Sequence, residues 1–130
     1  MLKKISIKNY ALIEALELDF QKGFTVLTGE TGSGKSILLG ALGLILGERA
    51  DLKSLRDKES KCIIEGTFEM DKAKFSTFFQ ENDIDFDKET LLRREITPSG
   101  KSRAFVNDTP VNLVVLKSLG ERLIDVHSQN

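Results

Sequence analysis

An α/β fold is what this sequence predicts, and three observations predict it. Apolar residues alternate with polar ones near the start, as in Ile5-Ser6-Ile7-Lys8 and Leu16-Glu17-Leu18-Asp19-Phe20, the period of two that suits half-buried strands. The run Ile37 to Leu46 is apolar nearly all round and suits a helix buried on most sides. Between them lies a glycine-rich string, Gly29 to Ser36, where a strand should turn into that helix. The 130 residues are 40% hydrophobic and 30% charged, which supports one modest domain or a piece of a larger one, with enough chain for a core, and excludes disordered, collagenous and disulfide-stapled classes. Cys62 is the single cysteine, the first ten residues do not form the apolar core of a secretion signal, and no apolar run approaches the length of a membrane span. A reducing, cytoplasmic setting without a membrane is therefore expected. With 19 Lys and Arg against 20 Asp and Glu, the net charge of -1 gives no global support for nucleic-acid binding.

Taken in order, the two alternating runs are interrupted at Asn9-Tyr10-Ala11 and predict an antiparallel pair of strands. Phe24 to Thr28 reads as a short buried strand, since β-branched and apolar residues run together there. The helix that follows from Ser36 should end at Gly47, a residue suited to a left-handed cap. Gly40 and Gly43 within it are expected to let the helix lie close against a sheet. Glu48 to Lys61 is charged and reads as a surface connection; Cys62, Ile64, Gly66, Phe68 and Met70 then share the inner face of a strand. Asp71 should cap a helix reaching Glu81 with an inward stripe of Phe75, Phe78 and Phe79. Leu91 to Ile96 and Ser102 to Asn107 flank Thr97-Pro98-Ser99-Gly100-Lys101 and predict a hairpin. Asp108-Thr109-Pro110 reads as a cap and first turn, giving a short helix over 111–119 that Gly120 stops, with Leu123 to Val126 a last short apolar run.

The string Gly29-Glu30-Thr31-Gly32-Ser33-Gly34-Lys35-Ser36 satisfies GxxxxGK[ST] in full. Composition alone would produce about 0.01 such matches in a chain this long, and the strand before it and helix after it are the setting the chemistry requires. The glycines allow consecutive backbone N–H groups to converge on phosphates at the positive end of a helix. Lys35 supplies a point charge for the β and γ phosphates, and the Ser36 hydroxyl is a hard ligand for Mg²⁺. Binding of a nucleoside triphosphate with Mg²⁺ follows. The loop by itself selects neither the base nor the fate of the γ phosphate.

No Asn/Thr-Lys-x-Asp string occurs, which argues against guanine specificity. A small-molecule kinase remains open, with Leu123-Ile124-Asp125 as an apolar strand ending in a metal-binding carboxylate and Arg93, Arg94 or Arg103 closing on the phosphates. A nucleotide-gated interaction module without hydrolysis remains open as well. The antiparallel strands ahead of the loop favour an ABC-type ATPase over a kinase.

Three ordered blocks sharpen that preference: Ile5 to Ile13, Phe24 to Ser36, and Ala41 to Asp51. Together with Ser102-Arg103-Ala104-Phe105-Val106-Asn107 and Leu123 to Gln129, they resemble the opening of the RecN family of bacterial DNA-repair ATPases, SMC-like relatives of the ABC ATPases. The resemblance implies the N-terminal lobe of a split ABC-type head, an antiparallel β layer packed beside a partial parallel core, spanning 1–130 as a single domain. It implies that a coiled coil and a C-terminal half-head, with the signature, Walker B and catalytic glutamate, lie outside this chain. The whole would hydrolyse ATP, dimerise its heads around it, and act on DNA double-strand breaks in the cytoplasm, at the nucleoid. The isolated lobe should bind ATP with little turnover.

By the same resemblance, Gly29 to Ser36 hold the phosphates, Lys35 stabilises transition-state charge, and Ser36 with Gln129, a Q-loop residue, ligates Mg²⁺. Arg56, within Ser54-Leu55-Arg56, resembles the SMC-family arginine that follows the phosphate-loop helix. The chain ends in His127-Ser128-Gln129-Asn130 where the family commonly reads His-Gly-Gln-His, so Gln129 keeps its place while the second His does not. His127, the lone histidine, is given no chemistry. Arg93, Arg94, Lys101 and Arg103 concentrate positive charge on the predicted hairpin, as a solvated face or as a contact for DNA or a partner. Cys62 reads as a small buried apolar residue.

Overall fold

The alternating segments form the strands expected of them. The computed structural model describes residues 1–20, 32–51, 53 and 55–128, with the backbone alone for 32–34 and 126–128. The expected strand over 24–28, the loop residues Gly29, Glu30 and Thr31, and Gln129 lie outside the described residues. β1 (Leu2–Tyr10) and β2 (Ile13–Asp19) pair antiparallel, with Ile5 opposite Leu18. β3 (Cys62–Glu69) lies on the other side of β1, followed by β4 (Glu89–Ile96), β5 (Ser102–Val106) and β6 (Thr109–Val111). The order is β2-β1-β3-β4-β5-β6, antiparallel throughout. The partial parallel core rested on the segment 24–28, outside the described residues.

One face of this sheet is dry because its inward positions are apolar: Ile5 and Ile7 on β1, Cys62, Ile64 and Phe68 on β3, Leu92 and Ile96 on β4. Helix α1 (Gly32–Ile45) crosses it and adds Ala41, Leu44 and Ile45 to the core. Each such large aliphatic side chain contributes about 1.5–3 kcal/mol by leaving water. The glycine that admits α1 to the sheet is Gly66 on β3, where a methyl group would press into Ile45. Gly43 instead faces the Glu48 carboxylate, and Gly40 faces the Tyr10 hydroxyl. Gly47, at φ +102°, ends the helix in the left-handed conformation expected of it.

Helix α2 (Lys72–Glu81) starts where expected, the Asp71 carboxylate accepting from the Ala73 N–H, and buries Phe75, Phe78 and Phe79. Two expectations fail after β5. Asp108-Thr109-Pro110 does not start a helix: Asn107 and Asp108, at φ 49° and 65°, form a tight turn into β6, and Pro110 sits on that edge strand opposite Phe105. Helix α3 (Leu113–Ser128) is capped by Asn112, whose side-chain oxygen accepts from the Val115 N–H, and it runs straight through Gly120. Gly120 is a contact point, since a Cβ there would collide with the Leu46 carbonyl at the end of α1. Leu116, Leu119 and Leu123 form one buried stripe along α3, so the run 123–126 is helical.

Candidate functional site: the two ends of helix α1

Helix α1 begins at Gly32, inside the glycine-rich string. Its first N–H groups have no partner within the helix, and no acidic residue stands in its first turn to neutralise that positive pole. Lys35 and Ser36 are exposed there, a cation and a hydroxyl presented to solvent beside the helix start. Gly32, Ser33 and Gly34 supply the helical backbone just before them. This arrangement suits a polyanion.

Among the described residues no group of three or more His, Cys, Asp and Glu could hold a metal ion. A divalent cation at this end would depend on the Ser36 hydroxyl and on oxygens brought by the ligand. Mg²⁺ fits such a donor set, because it keeps waters and takes few protein ligands beside phosphate.

The opposite end of α1 is closed by a residue that the sequence reading put on a charged hairpin face. Arg94, on β4, is 1% exposed. Its Nη1 donates to the carbonyls of Leu44 and Glu48, each at 2.7 Å, and its Nε donates to the Ser102 hydroxyl at 2.8 Å. A guanidinium at the negative pole of a helix is electrostatically favoured. Burial still pulls its pKa below the usual value. Burial also pushes Cys62 up, to about 11. The signal in the sequence was the strand alternation itself, which sets Arg94 on the face shared by Leu92 and Ile96.

Arg93 points to the opposite face and is occupied. Its Nη1 donates to Asp108 at 2.9 Å and lies 3.6 Å from Glu65, and its guanidinium stacks 4.3 Å over the Phe105 ring. Its Nε, 3.3 Å from a Glu95 oxygen, makes a charge contact rather than a directed hydrogen bond. Of the four hairpin cations only Lys101 and Arg103 are exposed, so the concentrated basic patch is not formed. His127 falls in the last turn of α3. Asp125 is on α3 as well and not at a strand end, so the kinase reading loses the metal-binding strand it needed.

Arg56 is exposed on the connection between α1 and β3. Leu55 before it is buried, and Asp57 after it is held by Asn9, a residue that the sequence marks only as part of a strand break. Asn9 has φ 55° and lies between the β1–β2 pairs Lys8↔Ala15 and Tyr10↔Ile13. Its Oδ1 accepts from the Asp57 N–H at 2.6 Å. Its Nδ2 donates to the carbonyls of Asp57 at 3.0 Å and Ser60 at 2.9 Å, with that of Lys61 at 3.4 Å. The Asp57 carboxylate accepts from the Glu59 N–H and the Ser60 hydroxyl, which holds its carboxyl below the usual range. An asparagine where a strand breaks was the available signal, since its side chain tolerates the left-handed region and mimics backbone.

The model of the RecF/RecN/SMC N terminal domain matches residues 1–126. The DNA repair protein RecN of Vibrio cholerae is 45% identical over 131 residues, covering 100% of this chain and 24% of that protein. This chain thus spans about a quarter of the length of such curated relatives. Among solved structures, an SMC ATPase studied for ATP-driven dimerisation and DNA-stimulated activation superposes at a TM-score of 0.73 with 18% identity, covering 95% of this chain and 79% of that one. The recombination mediator protein RecF, solved with ATPrS, superposes at 0.67 with 20% identity, covering 89% of this chain and 29% of that one. At such identities the two structures speak for the fold alone, the one that SMC and RecF share.

Proposed function

The chain belongs to the RecF/RecN/SMC N terminal domain family, and from that premise we propose that it is the ATP·Mg²⁺-binding N-terminal lobe of a RecN-type ATPase acting in DNA double-strand-break repair and recombination. Gly29, Glu30, Thr31, Gly32, Ser33 and Gly34 hold the phosphates through backbone N–H groups. Lys35 neutralises the β and γ positions, and Arg56 adds a second cation. Ser36 and Gln129 ligate Mg²⁺, which offsets the charge on the phosphate oxygens when bound. A carboxylate that activates water and a signature segment that closes over ATP come from a C-terminal half-head and a second protomer. DNA binding belongs to the full-length protein, which works in the cytoplasm at the nucleoid.

The observation that supports this best is the N-terminal end of α1, where Lys35 and Ser36 are exposed and no acidic residue stands in the first turn. Calorimetry tests it: the folded lobe should bind ATP with Mg²⁺, and Lys35→Ala should remove that heat without changing the melting temperature. Absence of heat at millimolar ATP would overturn the reading. Turnover by the lobe alone, equal to that of the full-length protein and dependent on Lys35, would overturn the division of labour between two half-heads.

A further inference from the structure

The last two residues of β1 touch two regions remote from them in the sequence, the middle of α1 and the loop at 56–61. Tyr10 brings its hydroxyl end against α1 at Gly40, closely enough that any side chain at position 40 would meet it. Asn9, its neighbour, grips the loop carrying Arg56 through a carboxamide used at both ends. Its oxygen meets an N–H and its nitrogen meets carbonyls, so neither aspartate nor an apolar residue can replace it. Arg56 itself stands between buried Leu55 and clamped Asp57, so its backbone is fixed at both neighbours while its side chain is exposed. Beyond the clamp the loop closes on itself, with the Ser60 N–H on the Asp57 carbonyl and the Asp57 carboxylate on Glu59 and Ser60. Asn9 maintains an uncommon positive φ to make these bonds, and backbone strain of that kind persists where surrounding contacts over-determine it.

We propose that Asn9 and Tyr10 form a bracket that sets Arg56 at a fixed position relative to helix α1, making Asn9 a positioning residue for the nucleotide site. The proposal rests on the reading of Arg56 as a nucleotide contact. Through Tyr10 the bracket is referenced to the helix whose first turn carries Lys35 and Ser36, and through Asn9 to the loop that presents the second cation. Both prongs come from adjacent residues, which leaves little slack between them.

The test is a double-mutant cycle in the full-length protein, read as ATP affinity in the presence of Mg²⁺, with melting temperatures recorded alongside. Asn9→Asp keeps the shape and sets an anionic oxygen against two carbonyls; Asn9→Gly keeps the positive φ and removes the carboxamide. Each should weaken ATP binding about tenfold, close to the loss from Arg56→Ala, as expected when one charge-assisted phosphate contact is misplaced. In an Arg56→Ala background neither should weaken it further. Amide exchange at Asp57 should rise in both Asn9 variants. Equal losses with and without Arg56 would assign Asn9 to the fold alone and overturn the proposal. So would full affinity in both Asn9 variants while Arg56→Ala weakens binding. A silent Arg56→Ala beside a Lys35→Ala that abolishes binding would overturn it at its premise, and leave the phosphate-loop reading standing.

Discussion

At its N-terminal end helix α1 leaves Lys35 and Ser36 in solvent, with no acidic residue in the first turn; at its C-terminal end the carbonyls of Leu44 and Glu48 are held by a guanidinium that solvent does not reach. Gly47 turns the chain at φ +102° against Lys117, and Gly120 brings α3 onto the Leu46 carbonyl. Among the described residues, one pole of the dipole thus has no acidic residue in its first turn, and the other is neutralised by the protein's own arginine. Binding a polyanion at a helix start needs unpaired N–H groups that stay in place when the ligand leaves. Arg94, Gly47 and Gly120 lock the far end into the sheet and α3, which supplies rigidity of that kind.

The sharpest way to break the contrast is to remove a charge at each end. Arg94→Met should lower the unfolding free energy in urea by about 3 kcal/mol, since it removes charge-assisted bonds to the buried Leu44 carbonyl, the Glu48 carbonyl and the Ser102 hydroxyl. The exposed Lys35, changed to Ala, should stay within about 0.5 kcal/mol of the parent. Equal stability losses at the two positions would erase the distinction.

A smaller effect carries a more pointed sign. Helix propensity says Gly120→Ala should stabilise α3 by about 1 kcal/mol, whereas the new Cβ would strike the Leu46 backbone and side chain. Overpacking of this kind costs about 1–3 kcal/mol. Thermal melts should therefore show Gly120→Ala destabilised, and a stabilised variant would mean that α3 does not press on the end of α1.

The weakest effect is silent at neutral pH. Cys62, sealed beside Arg94, has its thiol raised from 9.0 to about 11. Below pH 9.0 the thiol is protonated in folded and unfolded chains alike; between pH 9.0 and about 11 only the unfolded chain ionises, so stability falls across that window. Cys62→Ala should flatten the decline. At pH 8, iodoacetamide should spare native Cys62 and modify a Ser36→Cys variant of the Cys62→Ala chain, since position 36 is open and position 62 is not. Comparable labelling at the two positions would remove the difference in access.

Much of the framework was legible along the chain. The alternation around Ile5, Ile7 and Ile64 gave the strands, Asp71 gave the start of α2, and Gly47 gave the end of α1, each through a preference acting within a few residues. The misreadings share a cause. Gly120 was read as a stop because glycine weakens an isolated helix, yet here it admits a neighbouring backbone. Asp108-Thr109-Pro110 was read as a cap because that tripeptide often is one, while Asn107 and Asp108 take the left-handed turn that a hairpin needs. Arg94 was placed with its charged neighbours in sequence, when strand geometry sends it to the other face. Asn9 is legible only as part of a break between strands, because its partners at 57–61 are remote along the chain.

The chain's own order of residues determined the period of most elements, several of their caps, and the glycine-rich string with the helix behind it, because those follow from dihedral preference and side-chain spacing at short range. Tertiary structure decided which glycine is a break and which is a contact, which arginine faces solvent and which closes a helix, and which loop an asparagine holds. Those outcomes depend on the atoms that folding places opposite a residue. A buried hydrogen bond or a backbone contact exists only once both partners have arrived.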